Sequence, residues 1–339
     1  MDEHKDEFLE DSVEESLEDI IKEIDLGEDE LGEEEITPAK TKRQGFVLIQ
    51  SKKTYYALLA IFASVFLLSA VYLGGYLLEN QKAEDEYDQL ANIRDNATEE
   101  TQGVPATGNT ESTEPNQGTV ETKPPVMLTE LKPIYERNTD LIGWIKIDGV
   151  KVNHPVMQRP SDDDYYLTRD FYHQESIAGC MYVPKSCDVN KPSDNVVIYG
   201  HTLKTGAMFG KLSRYRNKDF WSENQTFTFD TLYERHTYQI FAVFKTAGKQ
   251  FDDNGNIWGY PYHRMNEFES EEAFNQFIAD IKGAAFKGEN PYKGYAYFDT
   301  GITPKYGDKL LCLSTCEYTM KDPDGTVNGR LVVMAVRIK

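Results

Sequence analysis

A histidine, a cysteine and an arginine each mark the end of a short apolar, strand-like run in this chain. His201 and Cys316, 115 residues apart, each close such a run, and Arg330 opens a third one. A thiol nucleophile needs a neighbouring imidazole to favour its thiolate, and a cation or hydrogen-bond donor to stabilise the oxyanion that its attack creates. Together, these three side chains can provide a thiol-based acyl-transfer site.

The run that ends at Cys316 holds two cysteines with different predicted roles. Cys312, Ser314 and Cys316 alternate along it, and side chains two residues apart point to the same face of a regular strand. Cys312 lies deeper in the apolar run and is interpreted as a small core residue. Cys316 stands at the polar exit of the run and is therefore the candidate nucleophile.

The position of Arg330 supports two interpretations. Asn328-Gly329, directly before it, is a pair typical of hairpin turns. If the run that ends at Cys316 and the run that begins at Arg330 pair as antiparallel neighbours, the two residues lie at the same end of the sheet. Taken alone, an arginine at a strand edge fits an ion pair with a carboxylate better than a catalytic role.

The other histidines and cysteines of the C-terminal part carry no partner motif. Four histidines are interpreted as surface or structural residues: His154, His173, His236 and His263. Cys180 and Cys187 are close enough in sequence for a disulfide, although two reduced thiols are the favoured interpretation. The sequence contains no CxxC pair and no HExxH helix, so neither a metal site nor a cofactor is predicted.

Short β-like runs separated by Gly, Asn, Asp and Pro dominate the chain after residue 127. They cover residues 143–147, 150–152, 180–183, 195–199, 226–231, 236–246, 309–314 and 330–338. An amphipathic helix is predicted from Glu271 to Lys282, with Ser270 as its N-cap, and a shorter one within 128–137. Many short strands and few helices predict a mostly β fold, a closed β-barrel with helical insertions.

The segment Tyr55–Leu78 is predicted to be a single transmembrane helix. Its 24 residues carry no charge, and at about 1.5 Å per residue they span a hydrocarbon core of roughly 30 Å. Basic residues precede it and acidic residues follow it, which predicts a cytoplasmic N-terminus and an extracellular C-terminal part. Because the segment starts far from the N-terminus, a retained anchor in the cell membrane is favoured over a cleaved signal peptide.

Two polar segments flank this predicted anchor. Residues 1–38 contain 18 acidic residues against two lysines, so most of the negative charge belongs to a predicted cytoplasmic tail, residues 1–50. This distribution argues against nucleic-acid binding. A disordered tail is favoured over a helix that docks on a cytoplasmic partner. Residues 79–127 are predicted to be an extracellular spacer, because 99–125 are rich in Thr, Gly, Pro, Glu and Gln.

At its candidate site residues the chain resembles the class B sortases. Leu313-Ser314-Thr315-Cys316 is similar to the family's motif at the nucleophile, and Tyr199-Gly200-His201 is similar to the context of its histidine. Arg330 stands where the family's arginine begins the last strand. The resemblance covers about residues 128–339, including the helix that begins at Glu271. It implies a sortase-type β-barrel behind a membrane anchor, with 128–339 as the catalytic domain.

The resemblance implies a membrane-anchored cysteine transpeptidase. Cys316 would cleave a C-terminal sorting signal after Thr, form a thioester acyl-enzyme and pass the protein to an amine of the cell wall. His201 would act as general acid and base, and Arg330 would stabilise the oxyanion. The implied substrate-binding residues are Tyr199, Ser314, Thr315, Glu317 and Leu167. One departure from the family is Asp163, which stands where some class B members carry a substrate-contacting asparagine.

Other functions fit the same residues. A class B sortase that polymerises pilin subunits would use a lysine amine as acceptor, and a thiol hydrolase would use water. A non-catalytic binding module is disfavoured because all three candidate catalytic residues are present. Wall anchoring is favoured over pilus assembly. The implied partners are surface proteins with a sorting signal, an acceptor amine of peptidoglycan or pilin, and the lipid membrane through residues 55–78.

Overall fold

The computed structural model describes residues 52–102, 125–283 and 294–339 of the protein. The predicted tail, 1–50, and residues 103–124 of the predicted spacer lie outside the described residues. The helices of the described chain are α1 Lys52–Gln102, α2 Lys132–Tyr135, α3 Lys218–Glu223 and α4 Glu271–Ile281. Its strands are β1 Leu141–Ile147, β2 Val152–Met157, β3 Met181–Tyr182, β4 Asn195–Tyr199, β5 Thr226–Thr231, β6 Thr237–Ala247, β7 Gly294–Ala296, β8 Leu310–Lys321 and β9 Val327–Arg337.

The strands form one sheet that closes on itself. Their order is β5-β1-β2-β3-β4-β8-β9-β6-β7, and an additional β5–β6 pairing joins the first strand to the last but one. Eight strands therefore complete a barrel, and β7 is added beside the second half of β6. Closure leaves the eight strands without a free edge. The predicted closed β-barrel with helical insertions is confirmed.

The centre of the barrel core is built from β8 and β9. Residues 310–315 of β8 and 331–336 of β9 are all buried, which is why these strands appear in the sequence as continuous apolar runs rather than alternating ones. The two strands pair antiparallel, whereas β4 pairs parallel with β8. A parallel pair needs a long crossover, and the segments β5, β6, α4 and β7 supply it between β4 and β8.

The turn between β8 and β9 differs from the sequence prediction. The chain reverses at 322–326, where the N–H of Gly325 donates to the carbonyl of Asp322 and Gly325 adopts a φ of 82°. This left-handed conformation favours glycine. Asn328 and Gly329, predicted as the turn, instead lie inside β9. The prediction was wrong because the β-hairpin extends past the apolar run into a polar, solvent-exposed tip.

The helix α4 was predicted from its periodicity and is confirmed. The Ser270 side chain accepts a hydrogen bond from the N–H of Ala273, 3.2 Å away, and so caps the helix N-terminus. Its apolar face is buried at Phe274, Phe277, Ile278 and Ile281. The short predicted helix within 128–137 reduces to the single turn α2, which has Pro133 in its first turn.

The helix α1 is longer than the predicted membrane segment. Within the described residues it is the one helix long and apolar enough to cross a membrane by length and composition. It continues to Gln102, and its residues Ala83, Tyr87, Leu90 and Ala91 belong to the same buried core as the barrel. The first part of the predicted spacer, 79–102, is therefore helical, and its apolar side chains are used in packing.

Candidate active site

Three neighbouring strands bring the candidate catalytic residues together. In the parallel β4–β8 pair Tyr199 lies opposite Ser314, so His201 and Cys316 each follow two residues beyond that pair. In the antiparallel β8–β9 pair Cys316 lies directly opposite Arg330. Neighbouring strands are about 4.8 Å apart. Cys316 therefore occupies the middle strand, with the histidine on one side and the arginine on the other, and the predicted antiparallel neighbourhood of Cys316 and Arg330 is confirmed.

The three side chains open into one cleft. Its cavity volume is about 500 Å³, and His201, Cys316 and Arg330 all contribute to its lining and are all half-buried. Of the predicted substrate-binding residues, four also line the cleft: Leu167, Tyr199, Ser314 and Thr315. A half-buried thiol in a polar cleft is accessible to a peptide yet partly shielded from water, as an acyl-transfer site requires.

The imidazole of His201 is held by a backbone carbonyl. Its Nε2 lies 2.7 Å from the carbonyl oxygen of Leu167, which lies in a 3-10 turn at Tyr165–Leu167. Because a carbonyl can only accept, Nε2 carries the proton in this contact. The ring is thus oriented by main-chain atoms of a neighbouring loop, and Leu167 contributes through its backbone as well as through its side chain.

Two threonines connect the loop that begins at His201, called the histidine loop, to β8, the strand that carries Cys316. Thr315 Oγ1 donates to the carbonyl of Gly200 at 2.6 Å and lies 2.6 Å from Thr202 Oγ1. Thr202 Oγ1 in turn lies 3.0 Å from the carbonyl oxygen of Cys316. Thr202 was not identified from the sequence, where it is simply the residue after the histidine. Its contacts fix the separation of the two strand ends on which proton transfer depends.

The guanidinium of Arg330 is held by one side chain and one main-chain carbonyl. Its Nη1 donates to Asn328 Oδ1 at 2.7 Å and to the carbonyl of Gly329 at 2.8 Å. Asn328 Nδ2 donates to Asp322 Oδ2 at 2.6 Å, and the other oxygen of the buried Asp322 accepts the N–H of Lys249 at 3.0 Å. The carboxylate fixes which way the Asn328 amide faces, and the amide oxygen then faces Arg330.

The hydrogen bonds from Asp322 through Asn328 to Arg330 form a relay. This relay was missed in the sequence because Asn328 was interpreted as a turn residue. The alternation of a strand would have placed Asn328 on the same face as Arg330, two residues later. That signal exists only once the residues are known to lie inside a strand, which the long polar tip of the hairpin conceals.

Neutral hydroxyls form another part of the cleft wall. The hydroxyl of Tyr262 lies 2.7 Å from Ser314 Oγ. Burial raises the pKa of Tyr262, and burial together with the nearby Tyr262 raises that of Tyr199. Both phenols therefore stay protonated and can donate a hydrogen bond to a peptide.

A second histidine also lines the cleft. Burial, assisted by the charges of Arg264 and Arg330, lowers the pKa of His263. Its imidazole is therefore neutral at pH 7. The sequence interpretation of His263 as a surface or structural residue overlooked this position. The turn that carries His263 is more than 50 residues from Cys316 in sequence, and only the fold brings the two into one cleft.

Glu317, implied as a substrate-binding residue, lies outside the cleft lining. Its side chain is fully buried and does not contribute to the cleft lining. Its oxygens accept the hydroxyl of Thr319 at 2.6 Å and the N–H groups of Thr319 and Met320 at 2.9 Å. Burial acts to raise its pKa, but these hydrogen bonds and the charge of Lys245 outweigh it and lower the pKa. Glu317 thus stabilises the irregular end of β8.

The acidic residues at the other wall of the cleft are fixed only in part. Asp163 Oδ1 accepts the N–H of Lys185 at 2.7 Å, and the neighbouring Asp164 is exposed. Both line the cleft together with Arg330. In the described part of the chain no group of three or more His, Cys, Asp or Glu residues is arranged to hold a metal ion.

Comparison with known proteins gives a consistent result. A model of the sortase domain matches residues 145–338. The Staphylococcus aureus protein named sortase B is 30% identical over 210 residues, which cover 62% of this chain and 75% of that protein. Its namesake from Listeria monocytogenes is 26% identical over 204 residues, covering 60% and 72%. The structure of a Staphylococcus aureus sortase B–substrate complex shares the fold, with a TM-score of 0.57 at 21% identity, over 77% of this chain and 99% of that one.

Proposed function

Because this chain belongs to the class B branch of the sortase family and is a cysteine transpeptidase, we propose that it joins proteins bearing a C-terminal sorting signal to an amine at the cell surface. The observation that carries the proposal is the position of Cys316 on the middle one of three strands, between His201 and Arg330 and within one cleft. This arrangement has a nucleophile, a proton carrier and a cation in the positions that acyl transfer needs.

In the first half-reaction the thiolate of Cys316 attacks the main-chain carbonyl carbon of a threonine in the signal. The carbon–sulfur bond forms, and the negative charge moves to the carbonyl oxygen, where the guanidinium of Arg330 stabilises it. The carbon–nitrogen bond then breaks, and the imidazolium of His201 gives its proton to the leaving amine. The products are a thioester on Cys316 and the released C-terminal piece.

In the second half-reaction an incoming amine attacks the thioester. The neutral imidazole of His201 takes a proton from that amine, the new amide bond forms, and Cys316 leaves as a thiolate. The enzyme returns to its starting state without a cofactor. An amine of the cell wall is the proposed acceptor. A lysine of a pilin subunit and water are the alternatives, and each leaves a different product from the same thioester.

The proposed location is the outer face of the cell membrane. The uncharged segment 55–78, together with the basic residues before it and the acidic residues after it, supports an anchor with a cytoplasmic N-terminus. The catalytic residues all follow the anchor in sequence, so they would face the compartment in which secreted proteins and cell-wall amines occur.

Mass spectrometry of the full-length protein with a set of signal peptides and amines tests this function. We expect an amide product that contains the peptide up to its threonine and the added amine, and no product with Cys316→Ala. Cys312→Ala is the matched control, because Cys312 is buried in the same strand and makes no contribution to the cleft. Product formation that is independent of the amine would favour the hydrolase, and turnover by Cys316→Ala would refute the mechanism.

A further inference from the structure

The helix α1 carries the predicted membrane segment directly into the core of the catalytic domain. The apolar segment ends at Leu78, and Ala83 is already buried against the barrel. Five helical residues cover only about 7.5 Å, and the polar layer of a bilayer is roughly 5–8 Å thick on each side. The domain therefore begins within the depth of the lipid headgroups, with no flexible linker at this point.

Two segments beside the cleft lie close to this part of α1. On one side, Glu79 accepts the N–H of Ile177 at 3.4 Å, and the N–H of Ser176 donates to the carbonyl of Thr168. This second bond sets Ile177 beside the turn that ends at Leu167 and holds His201. Glu79 is the first residue after the predicted membrane segment, so the loop around Ile177 lies at the level of the membrane surface.

On the other side lies Tyr318, two residues beyond the nucleophile. Its hydroxyl is 3.4 Å from the carbonyl oxygen of Thr202, so it flanks the histidine loop. Partial burial together with the nearby Cys316 and Tyr76 raises the pKa of Tyr318. The start of the packed part of α1 shares a cavity with the loop that follows His201, because Ala83, Gly206 and Ala207 line it together. This second rim element therefore lies on the side of the domain at which α1 enters it.

These rim residues expose apolar surface that nothing in the described chain covers. Leu167 is 38% exposed, Ile177 39% and Tyr318 65%. Tyrosine is enriched at membrane–water interfaces, where its ring is amphipathic. We call Leu167, Ile177 and Tyr318 the rim patch.

We propose that the rim patch contacts the lipid headgroup layer, so that the catalytic cleft opens beside the membrane surface. The proposal rests on the membrane anchoring proposed above. It commits to lipid as the occupant because α1 is continuous from the apolar segment to the packed residues. The cleft would then meet substrates and acceptors that are presented at the membrane surface rather than at a distance from it.

Fluorescence quenching of the full-length protein in vesicles tests this contact. Single tryptophans are introduced by Ile177→Trp and Tyr318→Trp, and the lipids carry bromine near the headgroup, which quenches tryptophan at short range. The matched control is Ile338→Trp, because Ile338 is 55% exposed but follows β9 at the end opposite Arg330. We expect quenching of the added fluorescence at positions 177 and 318 and none at 338. Circular dichroism checks that each variant is folded.

A fourth variant, Phe66→Trp with bromine deep in the acyl chains, separates the two proposals. Quenching at 66 without quenching at 177 and 318 would overturn the rim contact and leave the anchor standing. Absence of quenching at 66 would refute the anchor itself, and the rim contact with it. Equal quenching at 177, 318 and 338 would also overturn the proposal, because it would show association without the orientation that the helix imposes.

Discussion

The two neighbours of Cys316 are held in place by different means. On the β4 side, His201 is oriented by the backbone carbonyl of Leu167, and Thr202 and Thr315 link its loop to β8. On the β9 side, Arg330 donates to the carbonyl of Gly329, but its other acceptor is the side chain of Asn328, which in turn is fixed by the buried carboxylate of Asp322. Main-chain contacts survive most substitutions, whereas a side-chain relay fails when one member is removed. The histidine should therefore tolerate change in its surroundings better than the arginine does.

The largest effect is expected from the arginine itself. Arg330→Ala removes the cation from the oxyanion, and kcat should fall by about 10²–10³-fold, the usual loss for one stabilising donor. Arg330→Lys keeps the charge but cannot donate in the same planar geometry, so it should recover only part of the rate. Steady-state kinetics with a cleavable peptide measures both. Full activity of Arg330→Ala would assign the arginine to the structural ion-pair role.

A smaller loss is expected from breaking the relay. Asn328→Ala leaves Arg330 charged but removes one of the two hydrogen bonds of its Nη1, and misplacement of a group by about 1 Å costs up to roughly 10²-fold in rate. The loss should appear in kcat. The melting temperature should fall as well, because the buried carboxylate of Asp322 loses the hydrogen bond from Asn328 Nδ2.

Two companion variants separate positioning from folding at this site. Asn328→Gln can restore an amide to the relay and should recover part of the rate. In the background of Arg330→Ala, Asn328→Ala should cause no further loss. An independent loss there would contradict a positioning role for Asn328.

A modest effect on kcat is expected from removing the contact between Thr202 and Thr315. Thr202→Val keeps the shape of the side chain but removes the hydroxyl that lies near Thr315 Oγ1 and the Cys316 carbonyl. A neutral hydrogen bond contributes about 1 kcal/mol, so kcat should fall by up to about fivefold. Thr202→Ser, which keeps the hydroxyl, should be close to the unaltered enzyme. A loss as large as that of Asn328→Ala would remove the proposed difference between the two sides.

The smallest effect on kcat is expected at Leu167. Leu167→Ala retains the carbonyl that accepts from His201, so the histidine keeps its orientation and kcat should change by less than about threefold. The lost apolar contact with the peptide should raise KM instead, since ground-state binding is what the side chain provides. A fall in kcat without a change in KM would show that the side chain, and not the backbone, positions His201.

The difference between the two sides also explains how much the sequence could predict. The apolar runs at 195–199, 309–314 and 330–338 are local patterns, and they predicted the three strand ends correctly. Pairing of the last two runs then placed Arg330 opposite Cys316. The amphipathic helix with its Ser270 cap was predicted equally well, because helical periodicity and an N-cap are patterns of residues that are close in sequence.

The remaining features depend on contacts between residues that are distant in sequence. The carbonyl of Leu167 accepts from His201 and belongs to a loop 34 residues earlier. Because every residue has such a carbonyl, the residue type at 167 could not predict this contact. The family resemblance implied Glu317 as a substrate-binding residue, whereas its side chain lies buried beside an irregularity in the β8–β9 pairing, where it accepts hydrogen bonds. The packing of residues 83–91 against the barrel was missed, because scattered apolar residues in a polar segment do not by themselves indicate a buried helix face.

The most direct test of the account is the site of acylation. Trypsin releases residues 310–321 as one peptide that contains both Cys312 and Cys316, and fragmentation of that peptide distinguishes the two. After brief mixing of the full-length enzyme with a signal peptide, we expect an acyl group ending in threonine on Cys316, and its disappearance when an amine is added. An acyl group on Cys312, or product formation with no acyl group on either cysteine, would contradict the account.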